Sequence, residues 1–302
     1  MSNQDTKKPA VVLAAFGASR PEALLGIDNV YQRVRETFPQ LQVEVCFTSN
    51  QMRQVWQKRS QDPDWMKASP QIPEWVKGVK GPLAAIAGLQ DAGFRTQIVQ
   101  PLHIYAGEEY EDLKSYISGL KAIKTVKDKW MPFDKLALGR PALGEPGPRR
   151  PYLQNLERAA QALAEDAKEA LDKGIALVYV GHGNHHFSTG VYHELQAVMS
   201  RTYPGLEVLI GTVEGMFGAE HVRDRLKDKG IGQVLMKPLM MVAGVHARDD
   251  IAGEEPDSWR SIIESAGIKV ECRLEGLGEK DSWAGIFLEH IRDAAADAEI
   301  GL

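Results

Sequence analysis

The sequence predicts two α/β domains, each built on a parallel sheet, and three observations support that reading. Short apolar runs alternate with longer segments of helical periodicity, the pattern produced when strands and crossover helices succeed one another. Long stretches of the chain recur at fixed offsets. A Pro/Gly-rich segment, "GRPALGEPGPRRP" from Gly139 to Pro151, separates the two copies and reads as a linker. Together these give two similar Rossmann-like domains, 1–145 and 146–302, with a ligand cleft expected between them. The length of 302 residues agrees, being more than one typical core supports.

Strands are expected at 10–16, 42–48, 96–102 and 134–138 in the first half. The second half supplies 175–180, 207–213, 232–240 and 268–274. Between them one helix is expected over 152–172, where Leu153, Leu156, Ala160, Leu163, Ala167 and Leu171 form an apolar stripe and Gly174 is the stop. The last helix, 283–298, carries Trp283, Phe287 and Ile291 on one face behind the capping candidates Asp281 and Ser282. Its place, on its own domain or back on the first, is left open.

The repeat is specific. "LQDAGFRTQIVQPLHIYAGEEYED" from Leu89 matches "LKDKGIGQVLMKPLMMVAGVHARD" from Leu226, an offset of 226 − 89 = 137. "TFPQLQVEV" from Thr37 matches "TYPGLEVLI" from Thr202 at 202 − 37 = 165. The first half therefore carries about 28 extra residues (165 − 137), assigned to an insertion over 51–78 that holds Trp56, Trp65 and Trp75.

Composition narrows the function. With 43% hydrophobic and 25% charged residues the chain is an ordinary globular protein. A net charge of −5 argues against a nucleic-acid partner. Cys46 and Cys272 lie far apart in apolar runs and read as buried free thiols. There is no apolar run near membrane-spanning length, and the polar start "MSNQDTKKP" has no signal-like h-region. A cytoplasmic protein is expected; a periplasmic one whose signal peptide had been removed reads the same. Homo-oligomerisation is left open.

In doubly wound sheets ligands bind outside the carboxyl ends of the strands, where strand order reverses. In the second half the first strand ends in "GHG" with His182, the next in "GTVEG" with Glu214, and the third runs into "VAGVHARDD" with His246. With strand order 2-1-3, and strands about 4.8 Å apart, the three side chains can meet on one ion. Two imidazoles and a carboxylate suit Co(II), Fe(II), Ni(II) or Zn(II) and leave positions open. At the offsets above, the first half has Gly17, Ser49 and Glu109 at the matching places, so the duplicated framework does not need the His/Glu/His set.

The other histidines read differently. His185 and His186 line the cleft or face solvent. His193 and His221 are solvated helix residues, and His290, next to Phe287, is a packed or capping residue. His103, after Pro101-Leu102 at a strand end, is either a substrate contact or a buried hydrogen-bonded group. "FGASRPEAL" has neither a dinucleotide nor a P-loop fingerprint, which leaves Ser19 a loop or capping residue. No nucleophile elbow occurs.

"GHG", "GTVEG", "PLMMVAGVHARDDIAGEEPDSW" and "QPLHIYAGEEYEDL" together resemble the CbiK-type anaerobic sirohydrochlorin cobaltochelatases, class II chelatases related to ferrochelatase. The resemblance runs over nearly the whole chain and implies two Rossmann-like domains that insert Co(II), as substrate metal, into sirohydrochlorin for cobalamin synthesis, with no organic cofactor. It places metal binding on His182, Glu214 and His246, and catalysis on the two histidines. Insertion removes two pyrrole protons, and imidazole, with an unperturbed pKa of about 6.5, can bind metal or accept a proton. The substrate is a polycarboxylate, so Arg20, Arg53 and Arg248, with His103 and His186, are the candidate substrate contacts. Residues 51–78 are either an aromatic lid on the macrocycle or a surface insertion. The alternatives are an iron-inserting chelatase and a non-enzymatic metal or tetrapyrrole carrier.

Overall fold

The computed structural model describes residues 8–147, 149–244 and 247–302. It forms two compact units. The first holds the chain up to His103, Glu108–Pro141 and Phe287–Leu302; the second holds Ile104–Gly107 and Ala142–Ile286. The chain thus changes unit after Pro141, ahead of the 145/146 boundary the linker suggests, and the last helix, Asp281–Asp297, is shared between units. Its distal half is tied within the first unit. The Arg140 guanidinium donates to Asp293 at 2.7 Å, His290 Nδ1 to the Arg140 carbonyl at 3.0 Å, and Lys135 to the Glu299 carbonyl. His290 is buried, as the sequence suggests.

Each unit is one four-stranded parallel sheet. In the first, β1 (Ala10–Ala15), β2 (Gln42–Phe47), β3 (Thr96–Pro101) and β4 (Lys135–Leu138) lie in the order β2-β1-β3-β4. In the second, β5 (Ala176–Gly183), β6 (Val208–Glu214), β7 (Gln233–Pro238) and β8 (Lys269–Cys272) repeat it as β6-β5-β7-β8. The central strands are apolar at successive positions because helices cover both faces. One face of β5 (Ala176, Val178, Val180) packs with Leu209, Val234, Met236, Val222 and Trp259. In β1 the equivalent Ala10, Val12 and Ala14 pack with Cys46, Ile86, Val99 and Leu113. Cys46 is a buried thiol whose pKa burial raises, and Cys272 is half-buried; both are free.

Register corrects one sequence correspondence. Val12 pairs with Glu44 and Val178 with Leu209, so β1 maps to β5 at 178 − 12 = 166 while β2 maps to β6 at 209 − 44 = 165. One residue fewer connects β5 to β6. His182 therefore answers to Phe16, not Gly17. Gly17 answers to Gly183, and both are left-handed, with φ 103° and 72°.

The expected helix 152–172 is two helices, Tyr152–Ala162 and Ala164–Lys173, broken at Leu163 (φ −95°, ψ 11°). Leu156, Ala160, Leu163 and Ala167 are buried, but Leu153 and Leu171, at the ends of the stripe, are exposed. Gly174 closes the second helix in the left-handed conformation. Inside that helix Asp166 is buried and accepts from Tyr179 Oη at 2.7 Å, Lys237 Nζ at 2.6 Å and Lys280 Nζ at 2.8 Å.

Residues 51–78 are folded onto the first unit. They run through the helices Asn50–Ser60 and Pro63–Ala68 and pack on the first unit through their indoles. Trp56 is fully buried and donates Nε1–H to the Ala18 carbonyl at 2.6 Å. Trp65 meets it edge-on at 5.7 Å, and Arg59 lies over both rings while donating to the Ser19 carbonyl. Trp75 donates to Asp28 at 2.8 Å. Among the described residues, no helix is long and apolar enough to cross a membrane.

Candidate active site

Residue His182 ends the regular part of β5. Its half-buried ring places Nδ1 2.8 Å from the Gly183 carbonyl. A carbonyl only accepts, so Nδ1 carries a proton, and in the neutral ring the lone pair sits on Nε2. This is the arrangement by which a second hydrogen bond selects the nitrogen that can bind a metal or take a proton.

Two glycines bring β5 and β6 together at this edge. Gly183 is the register partner of Glu214, and a Cβ on Gly183 would lie 2.1 Å from the Glu214 carbonyl oxygen. Gly215, at φ 89°, reciprocates: its Cβ would lie 2.4 Å from the Asn184 carbonyl oxygen. No larger residue fits either position, so the second glycine of "GHG" and the glycine of "EG" are backbone-contact positions. Strand alternation puts His182 in phase with Val178 and Val180, and Glu214 in phase with Ile210 and Thr212 on the opposite face. The exposed Glu214 carboxylate and the His182 ring therefore share an edge one register step apart. His246 lies outside the described residues. Among the described residues, no group of three or more His, Cys, Asp or Glu is arranged to hold a metal.

The neighbouring histidines do separate work. His185 is exposed. His186 Nδ1 caps a 3-10 turn, Phe187–Gly190, accepting from Ser188 N–H at 3.4 Å, with Ser188 Oγ at 2.7 Å. Nδ1 therefore holds the lone pair and the proton sits on Nε2, the tautomer opposite to that of His182. Asn184 Oδ1 ties the same loop, accepting from His186 N–H at 2.9 Å and Thr189 Oγ1 at 3.0 Å. These supports were not singled out in the sequence; only the glycines marked the turn. His193 and His221 are exposed, as expected, yet each ring also lies against Phe217, at 5.5 and 5.0 Å.

In the first unit the matching positions serve the framework. Ser49 caps the helix Asn50–Ser60, accepting from Met52 N–H at 3.3 Å, and Glu109 lies in the first turn of Glu108–Lys121. His103 follows β3 with Nε2 3.4 Å from Thr48 Oγ1, while Nδ1 is buried with no hydrogen-bond partner among the described residues. Burial lowers its pKa to about 4, so the ring is neutral. Of the candidate cations, Arg20 contacts Glu22 at 3.5 Å, Arg53 donates to Asn50, and Arg248 is exposed in the π-helical turn Ala247–Ile251.

The architecture is that of the sirohydrochlorin chelatase fold. Two structures of SirB from Bacillus subtilis, one with Fe3+ and one with cobalt, superpose at a TM-score of 0.60 over 97% of both chains, at 14% and 12% identity. That likeness shows the fold alone. Sequence gives the family: residues 9–296 match the family model for cobalt chelatase (CbiK), and the chain belongs to that family. It is similar to the sirohydrochlorin cobaltochelatase CbiKC of Nitratidesulfovibrio vulgaris, at 29% identity over 96% of this chain and 91% of the relative. It is also similar to the sirohydrochlorin cobaltochelatase of Salmonella typhimurium, at 30% over 70% of this chain and 74% of the relative. The chain is an enzyme, a metal chelatase.

Proposed function

We propose that this chelatase inserts Co(II) into sirohydrochlorin, with His182, Glu214 and His246 delivering the metal. The match of residues 9–296 to the cobalt chelatase family carries the reading. Cobalt is a substrate here: M(II) and the free-base macrocycle give the metallated ring and two protons. A delivering site must therefore bind the ion and release it, and must accept protons as it does so.

The local chemistry of the second unit suits both tasks. The Gly183 carbonyl holds the His182 Nδ1 proton and leaves Nε2 as the basic nitrogen, able to ligate the ion and then to take a pyrrole proton. Glu214 supplies an exposed carboxylate on the neighbouring strand end, offsetting the charge of the arriving cation. His246 enters through the "VAGVHARDD" stretch, which follows β7, the other neighbour of β5. His182 and Glu214 start from opposite faces of the sheet, so both side chains turn over the carboxyl edge to reach one ion.

Multiple-turnover assays test this. Catalytic amounts of protein are mixed anaerobically with excess sirohydrochlorin and Co(II), or Fe(II) in a parallel arm. Cobalt product well above the protein concentration, formed faster than iron product, supports the reading. Product no greater than the protein concentration identifies a carrier, and a faster iron arm identifies an iron-inserting enzyme.

A further inference from the structure

The turn after β5 presents a phenyl ring to solvent beside the delivering residues. Phe187 is 88% exposed, five residues after His182. The backbone that carries it is held at several points. His186 Nδ1 accepts from Ser188, and Thr189 Oγ1 hydrogen-bonds the Asn184 carbonyl at 3.1 Å and side chain at 3.0 Å. The His186 ring lies 4.5 Å from the Phe187 ring, tilted by 35°. Met216, 60% exposed, follows Gly215, the residue that packs on the Asn184 carbonyl. Two apolar side chains are thus displayed from two contacting loops at the carboxyl edge of the sheet, where ligands of such folds bind. Folding leaves this apolar surface uncovered, and a capped turn holds it in place, as expected of a surface that an apolar ligand covers.

We infer that Phe187 stacks on the face of the tetrapyrrole macrocycle and that His186 is a positioning residue holding the turn that presents it. This rests on the chelatase reading above. The macrocycle has a broad flat face and carries its carboxylates at the rim, so an aromatic ring and a thioether suit its centre. The role also accounts for the second member of the His-His pair. With Nδ1 committed as an acceptor, the neutral His186 ring has its proton on Nε2 and is the wrong tautomer to ligate metal through that atom.

The test measures binding of metal-free sirohydrochlorin to the full chain, anaerobically, by quenching of tryptophan fluorescence. Phe187→Ala should weaken binding about tenfold and raise KM for the tetrapyrrole, while Phe187→Trp retains it. His186→Ala should show the same loss, with no further loss in the double variant. His186→Asn, which restores an oxygen acceptor at the cap, should recover it. The side chain of Phe187 is exposed, so thermal unfolding of its variants should match the parent. If the parent binds and Phe187→Ala binds equally tightly, the stacking role is overturned alone. If His186→Asn loses Co(II) affinity but not tetrapyrrole affinity, His186 is a ligand and the positioning role is wrong. If the parent binds no sirohydrochlorin, the chelatase reading itself fails and this inference goes with it.

Discussion

The backbones of Gly183 and Glu214 meet so closely that a methyl group on Gly183 would sit 2.1 Å from the Glu214 carbonyl oxygen. The two are register partners on the central strand of the second sheet and its neighbour. The glycine after His182 thus sets the separation of the two strand ends that carry the proposed delivering groups. Gly215 and Asn184 make the reciprocal contact one residue on.

Substituting Gly183 should consequently damage function more than folding. Gly183→Ala forces an L-residue to φ 72°, at about 1–2 kcal/mol, and drives the strands apart. Gly205→Ala provides the control, because φ there is 88° with open space around the added Cβ. Gly205→Ala should lose only the cost of the left-handed backbone, and Gly183→Ala should lose more because the clash is added to it. Only Gly183→Ala should lose about tenfold or more in kcat/KM.

Placement at the strand end predicts a sharp division within "GHGNHH". His182→Ala should lower kcat by about a hundredfold or more, whereas His185→Ala, at an exposed position, should stay within about twofold of the parent. Steady-state assays at saturating Co(II) separate lost chemistry from lost metal affinity.

Buried Asp166 predicts an acid-sensitive fold. Burial raises its pKa, and hydrogen bonds from Lys237, Lys280 and Tyr179 more than offset that, so the net shift is downward. A depressed folded pKa gives stability that is present above the unfolded value of about 3.9 and is lost as pH falls below it toward the folded pKa. Asp166→Asn would leave buried Lys237 with only the more distant and exposed Glu275, at 3.6 Å, as counter-charge and should cost about 3 kcal/mol in urea unfolding.

His103 makes its own contribution to that pH dependence, at higher pH. Its folded pKa is about 4, below the unfolded value of about 6.5, so the unfolded chain takes up the proton first. Its stabilising effect is complete above about pH 6.5 and is lost as pH falls toward about 4. Urea unfolding across this window should show a slope that shrinks in His103→Gln.

Much of the fold was legible in the sequence because buried parallel strands are continuous apolar runs. All eight expected strands appear, and the 2-1-3 order places His182 on the central strand. What was hidden lies in the connections. A one-residue difference between the β1–β2 and β5–β6 connections falls between two good matches, so the pairing of His182 with Phe16 shows only in the register. The 152–172 stripe gave no sign of the break at Leu163, nor that Asp166 would be buried by donors from Tyr179, Lys237 and Lys280, all distant in sequence. The tautomers of His182 and His186 depend on the Gly183 carbonyl and Ser188, which no periodicity reveals.

The assignment of the delivering groups meets its most direct test in an anomalous difference map from crystals of the full chain soaked anaerobically in Co(II). The account predicts the strongest peak about 2.0–2.2 Å from His182 Nε2, with Glu214 and His246 as its other protein ligands. A peak on His185 or His186, or one that His182→Ala leaves in place, would contradict it.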